Sequence, residues 1–291
     1  MPLKICSYNC RGYNNSKSAY INQLLSQVDM LCLQEHWLSD SQLSVLGSVN
    51  LDYAVCGVSG FDNSEILRGR PYGGCAIMWR QDLCAQVEVI AADSKRVCAV
   101  RIVSSHWRLV IICAYMPYED GELSTDIYVD QLACIEHLVH SNADCQVVIC
   151  GDFNVDFTRQ RLHTILLSSF CENLDMFPAH GHYSYDIDYT YCFGTIRYST
   201  LDHFLLSGTL YETCVDSVTV VHNIDNFSDH HPIFMYLSLD TKYVGITNKA
   251  HFPRLSWVKA SETDLNQYRD VLGENLTHII LPIEALTCCN M

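Results

Sequence analysis

The feature that most constrains the fold of this chain is a long succession of short apolar runs with only a few helical segments between them. The spacing of apolar side chains predicts helices over 18–27, 126–140 and 162–170. Strands are predicted at 3–9, 30–34, 53–58, 73–79, 87–90, 97–103, 107–115, 147–150, 189–193, 200–207, 217–222 and 232–239. Because short strands dominate, we expect an α/β fold in which two sheets pack face to face with helices outside.

One of these runs, 147–150, ends on a polar motif that has two interpretations. Gly151-Asp152-Phe153-Asn154 follows the strand directly, and in extended geometry Asp152 and Asn154 point to the same face. A carboxylate and a carboxamide side by side could orient a water molecule. The same residue types also form ordinary turns, so this segment alone does not decide between the two.

Polar residues end several other strands, and the repetition makes a purely structural origin less convincing. If the sheets bring these ends together, one rim gathers carboxylates, carboxamides, a phenol and a histidine. Such a cluster is costly to assemble unless a cation neutralises it. The residues concerned are Asn9, Glu35, Tyr115, Asp152, Asn154, Thr190, Asp202, Ser228, Asp229 and His230.

Composition limits the class of protein. Hydrophobic residues make up 49% and charged residues 18% of the 291 residues, which is typical of a folded globular chain. No apolar run reaches the roughly 20 residues of a membrane span, and the start of the chain lacks the pattern of a signal peptide. We therefore expect an intracellular protein, not a secreted one. The 16 cysteines show no Cys-x-x-Cys pair, so we expect buried thiols rather than a zinc site.

A net charge of −15 argues against a protein that binds nucleic acid by bulk electrostatic attraction. It does not exclude a nuclease, because a divalent metal ion supplies positive charge locally and an acidic cluster holds such an ion.

The character of the sequence changes near residue 240. We expect residues 1–240 to form the catalytic domain and residues 241–291 to form a linker followed by a helical extension. The linker prediction depends on the polar stretch 242–254, and the helix prediction on apolar spacing within 256–272.

Six motifs stand in the order typical of the endonuclease/exonuclease/phosphatase (DNase I-like) superfamily. They are Ser-Tyr-Asn-Cys-Arg-Gly, Leu-Gln-Glu-His-Trp, Tyr-Met-Pro, Gly-Asp-Phe-Asn, Leu-Asp-His and Ser-Asp-His-His-Pro, and the resemblance covers residues 3–239. Within that superfamily the chain most resembles the endonuclease domain of non-LTR (LINE-type) retrotransposons. Residues 254–259 also resemble the segment that those elements place before a reverse transcriptase, whose Tyr/Phe-x-Asp-Asp motif this sequence lacks.

The resemblance implies a four-layered α/β sandwich, in which helices flank two packed and mostly antiparallel sheets. It implies hydrolysis of phosphodiester bonds with Mg²⁺, or with Mn²⁺ as an alternative ion. Double-stranded DNA would be the substrate, the nucleus the site of action, and a reverse transcriptase in a longer polyprotein the partner.

The resemblance also implies roles for residues on the metal side of the rim. Glu35 matches the principal metal ligand, and Asn9 and Asp229 match supporting positions beside the metal. Asp152 would orient or deprotonate the attacking water, and Asn154 would hold that water or a phosphate oxygen.

The remaining rim residues match positions that act on the phosphate. His230 would contact the scissile phosphate, with Asp202 fixing its tautomer and raising its pKa, since a protonated imidazole stabilises developing negative charge. Tyr115 would donate a hydrogen bond to the same phosphate. Thr190 and Ser228 match supporting scaffold positions.

One departure concerns the residue two positions after Asn9. Some apurinic endonucleases carry an aspartate there as a further metal-side ligand, whereas this chain has Arg11. The departure weakens an assignment to abasic-site repair and places a second metal ion in doubt.

The segment 191–198 is predicted to be a hairpin, and in LINE-type endonucleases the matching hairpin probes the minor groove near the cut. Aromatic residues and an arginine suit that use; a plain exposed hairpin is the alternative. The candidate DNA contacts are Arg11, Arg68, Arg70, Tyr191, Phe193, Arg197 and Tyr198.

Three functions remain open from the sequence. The first is a DNA endonuclease that nicks one strand and leaves a 3′ hydroxyl to prime reverse transcription. The second is a phosphatase or phosphodiesterase of the same superfamily that acts on a small phosphorylated molecule or a lipid headgroup. The third is an inactive, element-derived remnant that only binds nucleic acid.

Overall fold

A computed structural model describes residues 2–61, 72–179, 188–194 and 197–239, together with Asn266. Two six-stranded sheets form its centre. The first sheet has the order β13-β14-β1-β2-β4-β3. Its strands are β1 (Leu3–Asn9), β2 (Met30–Gln34), β3 (Tyr53–Val58), β4 (Cys75–Arg80), β13 (Val215–Val220) and β14 (Ile233–Leu237).

The second sheet has the order β5-β6-β7-β8-β12-β9. Its strands are β5 (Gln86–Ile90), β6 (Val97–Val103), β7 (Arg108–Tyr115), β8 (Gln146–Asp152), β9 (Met176–Pro178) and β12 (Asp202–Ser207). Each six-stranded sheet contains one parallel pair, β1 with β2 and β7 with β8, and its other pairs are antiparallel. The expectation of mostly antiparallel sheets is therefore confirmed.

Four helices cover the outer faces of the two sheets: α1 (Asn15–Leu25), α2 (Ser44–Gly47), α3 (Glu122–His140) and α4 (Leu162–Asn173). A fifth, α5 (Gly208–Thr213), packs Leu210 into the core between the sheets, and a 3-10 turn lies at Asp40–Gln42. The helix predicted over 18–27 begins earlier than expected, because the Asn14 side chain accepts a hydrogen bond from the Lys17 N–H and caps α1. The helix also ends two residues earlier than expected, at Leu25. The helix predicted over 126–140 begins one turn earlier, at Glu122.

Three clusters of buried side chains define four layers. One lies between the sheets and includes Ile5 and Ile111. A second fills the space between the second sheet and helices α3 and α4, and a third packs α1 against the first sheet. Because successive side chains of a strand point to opposite faces, both faces of each sheet are apolar and both are covered. This arrangement confirms the expected α/β sandwich.

The parallel pairs bring the polar strand ends together. Asn9 lies beside Gln34 at the ends of β1 and β2, and Tyr115 lies beside Asp152 at the ends of β7 and β8. The antiparallel strand β12 begins at Asp202, which is the register partner of Asp152. One rim of the sandwich therefore collects the ends of five strands, from both sheets.

The predicted hairpin is present as a separate two-stranded ribbon of β10 (Tyr191–Phe193) and β11 (Arg197–Ser199). The strand predicted over 73–79 begins two residues later, because Gly73 and Gly74 have positive φ angles of 67° and 89°. Arg68 and Arg70 lie outside the described residues.

The chain divides into two compact units, Met1–Gly245 and Ile246–Met291, and of the second unit only Asn266 is described. The linker and helical extension over 241–291 therefore stay a prediction. In the described part of the chain, every helix is too short or too polar to span a bilayer.

Candidate functional site

The side-chain amide of Asn9 joins the two sheets at the rim. Its Nδ2 donates to Glu35 Oε1 at 3.0 Å and to Asp152 Oδ2 at 2.9 Å, and its Oδ1 accepts from the Arg11 N–H at 3.0 Å. Asn9 therefore acts as a bridge between two carboxylates in this arrangement. Two like charges near one another are costly, and the shared amide donor offsets part of that cost.

Asp152 is the most buried carboxylate of the rim, with 1% of its surface exposed. Its Oδ1 accepts from the Asn154 N–H at 2.9 Å, and the Asn154 side chain donates to the Met116 carbonyl at 2.9 Å. Burial raises the pKa of Asp152 to about 7. A carboxylate with such a pKa accepts a proton far more readily than an exposed aspartate does.

His230 and Asp202 form a buried pair beside Asp152. His230 Nδ1 lies 2.8 Å from Asp202 Oδ2, and its Nε2 lies 3.8 Å from Asp152 Oδ2. Burial alone lowers the pKa of His230, but the nearby Asp202 and Asp152 charges outweigh it and raise that pKa to about 10. The pair therefore favours a protonated imidazole at the rim.

Two hydroxyl groups hold this pair in position. Thr190 Oγ1 accepts from the backbone N–H groups of Leu201 and Asp202 at 2.9 and 3.0 Å. Ser228 Oγ donates to the Asn9 carbonyl at 2.8 Å and accepts from the His230 N–H at 3.2 Å. The two residues predicted as scaffold positions thus lie directly behind Asp202 and His230.

Tyr115 stands at the end of β7, half-buried, with the Arg96 guanidinium 5.0 Å from its ring centre. Burial and the neighbouring Glu35 carboxylate raise the pKa of its phenol. The hydroxyl therefore stays protonated at neutral pH and can donate a hydrogen bond.

Glu35 is held by a residue that sequence analysis missed. The Trp37 indole Nε1 donates to Glu35 Oε2 at 3.0 Å, while Oε1 accepts from Asn9. Both Glu35 and Trp37 have positive φ angles, 53° and 60°, which are unusual outside glycine. Trp37 is the last residue of the Leu-Gln-Glu-His-Trp motif, and its place in that motif was the one sign in the sequence of a role beside Glu35.

Arg11 and Asp229 form an ion pair at 2.5 Å between Nη1 and Oδ2. Sequence analysis also missed Lys17, whose buried ammonium group donates to the carbonyls of Cys10 and Arg11, both at 2.6 Å. Lys17 lies on α1 and gives no local sequence signal. Its contacts fix the loop after β1, which begins directly after Asn9 and carries Arg11.

The residues present suit a hard divalent cation. Glu35, Asp152 and Asp229 supply carboxylate oxygens, the ligands that Mg²⁺ prefers. Within the described residues, one buried oxygen of Asp229 and one of Asp202 have no hydrogen-bond partner. Ligand atoms of Asp152, Asp202 and His230 also lie within 4.8 Å of one another, but His230 Nδ1 already binds Asp202. Glu35, which is partly exposed, is therefore the better candidate ligand.

The ribbon of β10 and β11 stands next to the rim. Tyr191 pairs with His230 through an isolated bridge, and their rings lie 4.9 Å apart. Phe193 is 59% and Tyr198 47% exposed. The Arg197 backbone pairs with Phe193.

A groove of about 490 Å³ runs from Asn154 along this ribbon. Its lining includes Tyr191, Phe193 and Tyr198 from the ribbon, together with Arg159 and Arg161. Arg159 donates to the Tyr198 carbonyl at 3.1 Å. The two arginines were not predicted, because nothing in the sequence places their segment beside the hairpin.

Solved structures share this fold. The endonuclease domain of TRAS1, a telomere-specific non-LTR retrotransposon, is similar with a TM-score of 0.62 at 13% identity, covering 81% of this chain and 98% of that one. The catalytic domain of Xenopus laevis APE2 has a TM-score of 0.65 at 15% identity, with coverages of 84% and 94%. The 3′ phosphatase NExo from Neisseria, bound to a product DNA hairpin, has a TM-score of 0.61 at 16% identity, with coverages of 81% and 100%.

No curated protein sequence matches the chain with significance. The sequence profile described as the Endonuclease/Exonuclease/phosphatase family matches residues 6–230. This span begins in β1, ends at His230 and contains every rim residue described above. The chain therefore belongs to the Endonuclease/Exonuclease/phosphatase family.

Proposed function

We propose that this chain is a Mg²⁺-dependent phosphodiesterase, and more specifically a DNA endonuclease that nicks one strand and leaves a 3′ hydroxyl. The observation that carries the proposal is the convergence of two carboxylates and an Asp–His pair on one rim. Asn9 joins Glu35 to Asp152, and His230 lies beside Asp152 with Asp202 behind it.

Each side chain of the rim has a chemical task in this proposal. Asp152 accepts the proton of the attacking water, for which its raised pKa suits it. Asn154 holds that water or a phosphate oxygen. The His230 imidazolium and the Tyr115 hydroxyl bind the phosphate and stabilise the charge that develops on it.

Glu35 is the principal ligand for the metal ion, with Asn9 orienting its carboxylate. When bound, Mg²⁺ supplies Lewis-acid stabilisation of negative charge on the phosphate and the leaving oxygen.

DNA is the favoured substrate because the ribbon beside the rim carries exposed aromatic side chains. Phe193 and Tyr198 are accessible, and aromatic side chains of this kind stack on bases or wedge between them. The likeness in fold to the endonuclease domain of TRAS1, a telomere-specific non-LTR retrotransposon, fits a retrotransposon setting. In that setting we propose that a reverse transcriptase extends the 3′ hydroxyl in the nucleus.

Nicking of supercoiled plasmid with Mg²⁺ tests the proposal. We expect nicking that EDTA abolishes, and we expect Glu35→Ala and His230→Ala to lower the rate by about 10²–10⁴-fold. Glu88→Ala and His137→Ala are matched controls, because Glu88 lies on β5 and His137 on α3, away from the rim. A DNA polymerase should extend the nick without prior end processing.

The net charge of −15 favours a second candidate, a phosphatase for a small phosphorylated molecule or a lipid headgroup. Release of phosphate from an inositol phosphate, without plasmid nicking, would support that candidate. Robust nicking by Glu35→Ala or His230→Ala would refute the site assignment in either case.

A further inference from the structure

Arg11 places a fixed positive charge on a carboxylate of the rim. Its Nη1 lies 2.5 Å from Asp229 Oδ2, and 16% of the Asp229 side chain is exposed. Among the described residues, Asp229 is the side chain that the Arg11 guanidinium binds. The guanidinium therefore occupies one face of the carboxylate that a metal ion would otherwise approach.

The position of Arg11 is set by its backbone and not by the ion pair alone. The Arg11 N–H donates to Asn9 Oδ1 at 3.0 Å, and its carbonyl accepts from the buried Lys17 ammonium at 2.6 Å. Its φ angle is +46°, a conformation that few side chains adopt without support. The fold thus holds Arg11 beside Asp229 even though 44% of its side chain is exposed.

The charges of this part of the rim favour one added divalent ion over two. With Asp152 ionised, as a base must be, Glu35, Asp152 and Asp229 bring three negative charges, and Arg11 and Lys17 bring two positive ones. The Asp202–His230 pair is left aside here, because its two members face each other. One divalent ion turns the remaining single negative charge into a single positive charge, which matches one phosphodiester anion. A second ion would leave two positive charges even after the phosphodiester anion is bound, which is costly in a partly buried site.

We propose that the Arg11 guanidinium takes the place of a second metal ion at Asp229, so that the rim binds one divalent cation, at Glu35. This inference rests on the proposed metal-dependent function and specifies it further. Asp229 is then held by Arg11 through Oδ2 and is not a metal ligand, and its Oδ1 stays buried without a hydrogen-bond partner among the described residues.

The stoichiometry of Mn²⁺ binding, measured from the electron paramagnetic resonance signal of free Mn²⁺ without DNA, tests this inference. We expect one Mn²⁺ per chain for the wild type and two for Arg11→Asp, which removes the cation and adds a carboxylate. Aspartate tolerates a positive φ angle better than most residues, so this variant suits the backbone at position 11. Arg11→Lys keeps the charge and should still bind one ion.

Two further variants make the test independent of how Arg11→Asp folds. Asp229→Asn should keep the single Mn²⁺ site, because Asp229 is not a ligand. Arg108→Ala breaks the exposed ion pair between Arg108 and Asp144, which lies at the start of β7, and it should also bind one ion. Circular dichroism and urea unfolding establish that each variant is folded.

Binding of two Mn²⁺ by the wild type would overturn the inference, as would loss of the Mn²⁺ site in a folded Asp229→Asn variant. A folded Arg11→Asp variant that still binds one ion would overturn it as well. Failure of the proposed function looks different: the stoichiometry changes from one to two as expected, but no plasmid is nicked. If the wild type nicks plasmid but binds two ions, the inference about Arg11 is wrong and the proposed endonuclease function still stands.

Discussion

Replacing Gly151 with alanine tests how closely the two parallel strands behind the rim approach each other. A Cβ atom at this position would lie 1.9 Å from the backbone oxygen of Ala114, its partner on β7. Backbone atoms cannot swing aside as a side chain does, so β7 and β8 must separate locally. Tyr115 follows Ala114 at the end of β7, and Asp152 follows Gly151 at the end of β8. The positions of both side chains must therefore change as well.

Gly121 offers a matched control for the backbone conformation. Its φ angle is +148° against +145° for Gly151, but a Cβ at Gly121 would meet no atom within 4 Å. The strain of such a φ angle costs about 1–3 kcal/mol for alanine at either position. Only Gly151→Ala adds the clash, for which overpacked sites lose about 1–3 kcal/mol or more.

We expect Gly151→Ala to lower the free energy of unfolding by at least about 2 kcal/mol more than Gly121→Ala does. This difference corresponds to about 4–8 °C in Tm for a domain of this size. Urea unfolding measures the first quantity and calorimetry the second, and plasmid nicking should fall sharply for Gly151→Ala alone. Equal losses of stability in the two variants would refute the close approach of the strands.

Three further substitutions test individual contacts of the rim. Trp37→Phe removes the indole donor to Glu35 and should raise the Mg²⁺ concentration for half-maximal nicking about 10–100-fold; an unchanged value would contradict a role for Trp37 in orienting Glu35. Asn9→Asp brings a third carboxylate between Glu35 and Asp152, so thermal unfolding in EDTA should occur at a lower temperature, and Mg²⁺ should raise the Tm more than in the wild type. Phe193→Ala changes a side chain that is 59% exposed; it should leave the urea midpoint unchanged and weaken DNA binding at least about fivefold by fluorescence anisotropy, and unchanged DNA binding would argue against the ribbon as a DNA contact.

The layered fold could be predicted from the sequence because its signal is local. The central strands of the two sheets are apolar runs, and apolar side chains on both faces require a second layer on each side. Three short elements, α2, β9 and α5, were not predicted, and the other errors lie at element ends, where a single side chain decides. The Asn14 cap starts α1 three residues before the predicted start at residue 18, and nothing in the apolar spacing marks that position.

The candidate site was predictable only where its residues end strands. Glu35 and Asp152 interrupt apolar runs and could be found in that way. Lys17 could not be found in that way. It lies on α1, where a lysine is common, and only the fold shows that its ammonium group donates a hydrogen bond to the Cys10 carbonyl in the loop after β1. The DNA contact of Arg11 stays a prediction, and the structure adds an ion pair with Asp229, 218 positions away in the sequence, that was not predicted. The packing of the sheets sets a pairing between residues so far apart in the sequence, and no pattern of neighbouring residues indicates it.

Backbone strain at the rim explains why the conformational preferences of single residues do not predict the backbone there. Arg11, Glu35, Trp37 and Asn154 have positive φ angles between 46° and 60°, and each costs about 1 kcal/mol or more in isolation. Hydrogen bonds between the loops after β1 and β2 hold the first of these loops against the second, among them Gly12 N–H to the Glu35 carbonyl at 2.6 Å. The Asn154 N–H donates instead to Asp152 Oδ1 at 2.9 Å. Such strain persists only where the surrounding structure determines it. The loops that carry the candidate ligand and the water-orienting residues are therefore fixed before a substrate binds, and that rigidity is what catalysis by positioned charges requires.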